Sequence, residues 1–182
     1  MSNRTIALRC FATLAVGVAC TPTSSADQDP LDPALIHELA LAQGSAQGDA
    51  RSGPWTFEFN EQSCDCPSFE IDGEQLDLCK LASFATLEVE LLEGSGLLGI
   101  SAPQVPEFGL LTGAIEADGS FVVAGTQDLS NLAGSLEALR RMDGRFSADD
   151  ALAEGWVGQR LIGEVPGQAI DCRWIGGFLA PP

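Results

Sequence analysis

The sequence predicts an all-β domain, an antiparallel meander of about eight short strands that forms a small barrel or a sandwich, preceded by one short helix. Three observations support this. Apolar and polar residues alternate, as at Trp55, Phe57 and Phe59. Asp118 and Gly119 lie between two β-branched runs, which is typical of a tight hairpin. The predicted strands are not separated by long helices, which argues against a doubly wound α/β fold.

The strands follow one another closely and are separated by turns rich in glycine and proline. They are predicted at 55–60, 86–91, 97–102, the two arms of 110–126, 142–146, 156–162 and 169–178. A closed meander leaves no sheet edge exposed, so a barrel is preferred over a sandwich. The strand pattern is similar to that of lipocalin-like small barrels, and this general resemblance transfers no site residues.

Two stretches between the strands have other patterns. Leu129, Leu132, Leu136 and Leu139 have helical spacing, which predicts a turn or a short helical piece before the strand at 142–146. The stretch 64–79 is predicted as a loop that carries three cysteines.

A short amphipathic helix is predicted near the start of the domain. Asp32 is a favourable N-cap, Pro33 suits the first turn, and Gly44 is a natural stop. The helix either docks on the domain or lies loosely beside it. Residues 43–53 are small and polar, which predicts a linker.

The first residues have the pattern of an export signal. Arg4 and Arg9 precede an apolar stretch that is too short to span a bilayer as a helix. The following sequence, from Gly17 to Cys20, resembles the lipobox of bacterial lipoproteins. The resemblance implies a signal peptide at 1–19 and a lipidated Cys20. The strand pattern and the polar residues before it predict a tether with the short helix at 20–54 and a β domain at 55–182.

The lipobox resemblance also bears on location. Thr21, rather than aspartate, follows the cysteine, which implies anchoring in the outer membrane, facing the periplasm or the cell surface. One alternative is cleavage after Ala26, which would give a secreted protein. The other is an uncleaved anchor. All three place the domain outside the cytoplasm.

The charge balance excludes several partners. The chain has 9 Lys and Arg against 26 Asp and Glu, with a formal net charge of −17. This charge argues against nucleic acid and against anionic membrane surfaces as partners. Contact with a membrane is therefore expected only through a lipid on Cys20.

The domain contains four of the six cysteines, Cys64, Cys66, Cys79 and Cys172. An even number of cysteines in an exported domain predicts two disulfides. A bond between the two cysteines of the CxC motif would have poor geometry. One of them is therefore expected to pair with Cys79 and the other with Cys172, in an order that the spacing leaves open.

The sequence contains no recognisable catalytic set and implies no cofactor. The single histidine, His37, lies in the predicted tether, so neither a nucleophilic triad nor a histidine-rich metal site can form in the domain. Glu88 and Glu90 share one face of a strand and are expected to be surface residues. These observations predict a non-catalytic structural or interaction lipoprotein, and they leave open whether its partner is another envelope protein or a small hydrophobic ligand.

Two other functions remain open. Trp55, Trp156 and Trp174 are candidates for the wall of a pocket for a small hydrophobic ligand. Cys64 and Cys66 are candidates for a thiol redox pair or a soft-metal site. A basic cluster at Arg140, Arg141 and Arg145 either balances nearby carboxylates or binds an anion or a partner.

Overall fold

The computed structural model describes residues 29–71, 73–130, 134–165 and 168–181. The predicted signal peptide, Cys20 and the alternative cleavage site after Ala26 lie outside these ranges. Within them, no helix is long and apolar enough to cross a membrane.

Eight antiparallel strands close into a barrel, which confirms the all-β meander and selects the barrel over the sandwich. The elements in chain order are α1 (Pro33–Ala40), β1 (Gly53–Cys64), β2 (Ser68–Ile71), β3 (Glu74–Asp77), α2 (Leu78–Ala82), β4 (Thr86–Gly94), β5 (Leu97–Ser101), a 3-10 turn (Pro106–Phe108), β6 (Leu110–Ile115), β7 (Ser120–Asp128), β8 (Ser135–Phe146), β9 (Ala153–Val165) and β10 (Gln168–Ala180). The barrel closes because β1 pairs with both β4 and β10. Strands β2 and β3 form a separate hairpin.

The inner face of the barrel is filled by apolar side chains at every second strand position, as the alternation predicts. Aromatic rings occupy much of this space, and the ring centroids of Phe121 and Phe146 are 5.1 Å apart. Gly144 lies where two rings meet, and a Cβ atom there would come within 2.7 Å of both Phe121 and Phe178. The interior is thus tightly packed at this point.

The strand directions define two ends of the barrel. The connections that follow β1, β5, β7 and β9 lie at one end, here called the upper end. The residues that precede β1 and the connections that follow β4, β6 and β8 lie at the other, lower end. Both disulfides are at the upper end, and the N-terminal segment is at the lower end.

The connection after β1 is more structured than the predicted loop. In the β2–β3 hairpin Phe69 pairs with Leu76, and both side chains pack against the core. The side chain of Asp77 then accepts hydrogen bonds from the amides of Cys79 and Lys80 and caps α2. Each strand has only four residues, so its alternation is too short to stand out in the sequence.

Of the turn or short helical piece predicted before residue 142, the structure describes Ser130, which is helical, and residues 131–133 lie outside the described residues. Strand β8 begins at Ser135 and pairs with β7 and β9. Leu136 points into the barrel, whereas Leu139 is buried on the outer face beneath α1. From Leu136 onward the helical spacing does not reflect a helix, because both faces of this strand are covered, and a strand buried on two sides loses its simple alternation.

Helix α1 is present where the sequence predicts it, and it docks on the barrel. Ile36 packs with Leu31, Ala124 and Leu139 in a small cluster on the outer face. The helix ends at Ala40, before the predicted stop at Gly44. Docking explains its stability, because a helix of eight residues would be marginal alone.

Replacing the N-cap, Asp32→Ala, is expected to lower the free energy of unfolding by about 1 kcal/mol. Asp32 Oδ1 accepts hydrogen bonds from the amides of Ala34 at 2.9 Å and Leu35 at 3.3 Å, and alanine would leave both amides without this acceptor. Urea denaturation followed by circular dichroism measures the loss. Asp49→Ala is the control, because Asp49 is exposed and its side chain makes no hydrogen bond within the described residues. Equal losses in the two variants would contradict the capping role.

The segment from residue 41 to residue 52, here called the lower strap, is packed across the lower end where a linker was predicted. The amide of Gly44 donates to Gly96 O at 2.8 Å, and the amide of Ala46 donates to Ile115 O at 3.1 Å. A Cβ at Gly44 would lie 2.1 Å from Ile115 O, so only glycine allows this approach. The polar composition of the lower strap therefore reflects its hydrogen bonds to the lower end of the barrel.

Candidate functional site

The cysteines form two disulfides at the upper end of the barrel. Cys64 bonds to Cys79 across 15 residues, and Cys66 bonds to Cys172 across 106 residues. This division agrees with the prediction that the CxC motif splits between the two other cysteines. The Cα–Cα distances of 5.9 and 4.9 Å lie in the range of ordinary disulfides. The second bond joins the end of β1 to the last strand.

These bonds also bear on the thiol and metal hypothesis. Possible ligand atoms of Asp65, Cys66 and Cys172 lie within 4.8 Å of one another. Both sulfurs of this group belong to one disulfide, and a metal requires thiolates. In this oxidised form, the carboxylate of Asp65 instead accepts a hydrogen bond from the amide of Arg173.

The three tryptophans do not line one pocket. Trp55 and Trp174 belong to the inner core, where their indole N–H groups donate to Arg51 O and to Glu61 Oε2. Trp156 lies on the outer face, packed against the cluster beneath α1 and 5.9 Å from the guanidinium of Arg141. Its position on β9 is one residue out of phase with the inward-facing side chains.

The predicted basic cluster divides between the two faces of β8. On the outside, Arg141 pairs with Asp143 at 2.8 Å, and Arg145 pairs with Asp118. These two arginines balance nearby carboxylates, as the sequence suggests. Arg140 points into the barrel, where only 3% of it is exposed.

Within the barrel, Arg140 is surrounded by neutral groups. Its Nε donates to Gln159 Oε1, and its Nη1 donates to the carbonyl oxygens of Glu107, at 2.6 Å, and of Phe108. The guanidinium carbon lies 5.6 and 5.7 Å from the ring centroids of Phe84 and Phe108. Among the described residues, no carboxylate lies within ion-pair distance of this guanidinium.

Arg140 keeps its charge despite this environment. Burial lowers the pKa of its guanidinium to about 10, and the exposed carboxylate of Glu107 acts in the opposite direction. A pKa of about 10 leaves the group protonated at neutral pH. Buried charges in proteins are usually paired, because removal from water costs several kcal/mol per ion. The interior therefore carries one positive charge with no paired anion among the described side chains.

Gln159 is the register partner of Arg140 on the adjacent strand, β9. Only 2% of Gln159 is exposed, and its Nε2 is buried without a hydrogen-bond partner. The Nη2 of Arg140 likewise donates no hydrogen bond to the residues that the structure describes. Among the buried side-chain atoms that the structure describes, Gln159 Nε2 is thus a donor without a partner, and Arg140 lies across from it on the neighbouring strand.

The sequence contains a signal for the pair of Arg140 and Gln159, although grouping Arg140 with Arg141 and Arg145 does not reveal it. Arg140 is in phase with Ala138 and Met142, which are both inward-facing and buried. Gln159 is in phase with Val157 and Leu161 on β9. A polar residue at an inward position in each of two neighbouring strands predicts a buried polar pair.

Comparisons of the chain with protein-family models, with curated proteins and with solved structures found no match. Function therefore has to follow from the chemistry of the described residues. The features that bear on it are the two disulfides, the packed lower strap and the buried pair of Arg140 and Gln159.

Proposed function

We propose that this chain is an exported, non-catalytic structural or interaction domain that a lipid on Cys20 anchors in the bacterial cell envelope. The observation that carries the proposal is the pair of disulfides, which joins all four cysteines of the domain. Such bonds persist in oxidising compartments outside the cytosol. The lipobox-like residues before Cys20 supply the anchor.

The contacts of Asp29, the first described residue, support the proposal that the domain lies close to its anchor. The carboxylate of Asp29 accepts hydrogen bonds from Arg160 at 3.3 Å and from Arg173 at 2.6 Å, on the outer faces of β9 and β10. The stretch from Cys20 to Asp29 is short, and even fully extended chain of this length spans at most about 30 Å. A lipid on Cys20 would therefore keep the barrel near the bilayer surface.

The positions of the polar residues support a non-catalytic role. His37 lies on the exposed side of α1, and Glu88 is exposed on the outer face of the barrel. The buried carboxylate of Glu93 is held in an ion pair with Arg51. Among the described residues, these side chains do not assemble a nucleophile with an adjacent base, which acyl transfer by a triad would need.

The alternative function, binding of a small hydrophobic ligand inside the barrel, has less support. Phenylalanine rings fill the inner face around Gly144, and Trp156 lies outside the barrel. The interior polar pair of Arg140 and Gln159 is also unsuited to a purely apolar ligand, because it would leave the donors without acceptors.

The test is the intact mass of the full chain recovered from the envelope of a bacterial host. A chain that begins at Cys20 and carries a diacylglyceryl or triacyl group is the expected result. Cys20→Ala should abolish the lipid and release the protein from the membrane fraction. Cys10→Ala is the matched control and should keep the lipid, because Cys10 lies in the predicted signal peptide.

Two outcomes would contradict the proposal. A chain that begins at Asp27 without lipid would show a secreted protein instead of an anchored one. A full-length chain in the cytosol with reduced cysteines would overturn export itself.

A further inference from the structure

We propose that Arg140 and Gln159 form an internal binding site for a small monocarboxylate, beneath the loop that connects β5 to β6. The inference does not depend on lipidation or export, because it rests only on the barrel interior. Two observations carry it independently. Arg140 is a buried positive charge without a paired anion, and Gln159 Nε2 is a buried donor without an acceptor.

The positive charge of Arg140 favours an anion as the ligand of this site. The groups that surround the guanidinium are an amide oxygen, two backbone carbonyls and two phenyl rings, which are all neutral. A bound anion would supply the missing counter-charge and would accept hydrogen bonds from Arg140 Nη2 and Gln159 Nε2. Both donors would then be satisfied by the same ligand.

The geometry favours a carboxylate over a tetrahedral anion. The guanidinium carbon and the ring centroids of Phe84 and Phe108 form a nearly equilateral triangle with sides of 5.6, 5.7 and 5.7 Å. Both rings therefore lie on one side of the guanidinium, and because Nε and Nη1 already donate to protein groups, Nη2 is the guanidinium donor left for an anion. A carboxylate offers one oxygen to Arg140 Nη2 and the other to Gln159 Nε2, and its single charge balances one arginine. Sulfate and phosphate bring additional charge and additional oxygens.

The surrounding core limits the size of the ligand. Ala138 and Met142, the inward-facing neighbours of Arg140 on β8, are fully buried. Leu161, the inward-facing neighbour of Gln159 on β9, is fully buried as well. These contacts favour the smallest carboxylates, such as formate and acetate, over chains of the fatty-acid type.

The loop above the site allows access. Its backbone hydrogen bonds are local, from Val105 N to Ala102 O, from Phe108 N to Val105 O and from Gly109 N to Pro106 O. Within the described residues, the hydrogen bonds that join this loop to the barrel come from Arg140. Entry of a ligand would need this loop to open transiently, which would break the two hydrogen bonds from Arg140 and expose the buried ring of Phe108 but would leave the strand ladder intact.

A purely structural role for Arg140 accounts for only part of these contacts. Its Nη1 caps the carbonyls of the 3-10 turn, and this holds the loop on the barrel. That role uses neither Arg140 Nη2 nor Gln159 Nε2. An anion at those two donors completes the hydrogen bonding without displacing the loop.

The test is a titration of the full chain with acetate, against chloride and sulfate at matched ionic strength. Acetate is expected to raise the melting temperature in a saturable way and to bind with one site per chain by calorimetry. In NMR, the methyl protons of acetate are expected to show Overhauser contacts to the ring protons of Phe84 and Phe108. Identical responses to the three anions, or contacts to surface residues only, would overturn the proposal.

Two variants locate the effect. Gln159→Glu places a carboxylate beside Arg140, so it is expected to abolish the acetate response and to raise the melting temperature. Arg145→Gln is the matched control, because it removes an arginine from the outer face of the same strand and should keep the response. Acetate binding that survives in Gln159→Glu, or that disappears in Arg145→Gln, would refute the assigned site.

Discussion

Replacing the long-range disulfide, Cys66→Ala with Cys172→Ala, is expected to lower the free energy of unfolding by about 4–5 kcal/mol. The bond closes a loop of 106 residues between the end of β1 and the last strand. Without it, the unfolded chain gains the entropy that the cross-link removes. Guanidinium denaturation without added oxidant or reductant, followed by tryptophan fluorescence, measures the difference in the free energy of unfolding between the variant and the parent chain.

The other disulfide provides the matched comparison. Cys64→Ala with Cys79→Ala opens a loop of only 15 residues, so the expected loss is about 3 kcal/mol. The two losses should keep this order. A larger loss from the short loop, or no loss from the long one, would show that native-state strain or residual structure outweighs chain entropy.

The disulfides also explain how the upper end is covered. A two-stranded hairpin such as β2–β3 is marginally stable alone. Leu78 and Ala82 of α2 are buried in the core, and Cys79, between them, is bonded to Cys64. The covalent bond therefore holds the β2–β3 hairpin and α2 in place, and these elements contribute apolar contacts to the barrel.

The features of the fold that follow local rules could be predicted from the sequence. The hairpin at Asp118 and Gly119 forms where the sequence predicts it, and of these two residues Gly119 has the positive φ, at +82°. The helix start depends on the cap at Asp32, which forms as expected. The pairing of the CxC motif follows from the geometry of a short extended segment. Each of these rules acts over a few residues.

The features that depend on contacts distant in sequence could not be predicted. The lower strap looks like a linker because its polar residues bond to turns far along the chain, as Ser45 bonds to Glu116. The inward orientation of Arg140 follows from the phase of β8, which the helical spacing of the leucines obscures. Only the barrel register brings Arg140 beside Gln159.

Glu93→Ala is expected to destabilise the protein by about 2–3 kcal/mol, because it removes the buried carboxylate that accepts hydrogen bonds from Arg51 and leaves Asp150 as the remaining ion-pair partner of that arginine. Only 1% of the Glu93 side chain is exposed, and 13% of that of Arg51. The carboxylate accepts hydrogen bonds from Arg51 Nη1 at 2.8 Å and from the Arg51 amide at 3.0 Å. Urea denaturation measures the loss, and Glu88→Ala on the exposed face is the control.

The same pair joins the lower strap to the barrel, so the charge and the packing can be separated. Arg51 also reaches Asp150 at 2.7 Å and lies 5.0 Å from the ring centroid of Phe146. In the double variant Arg51→Met with Glu93→Leu, both charges are replaced by apolar side chains, and such replacements are often nearly neutral. We expect this variant to recover most of the stability that Glu93→Ala loses. If the double variant is as unstable as the single variant, the strap is held by specific hydrogen bonds between Arg51 and Glu93, and the loss of one counter-ion of Arg51 is not the cause.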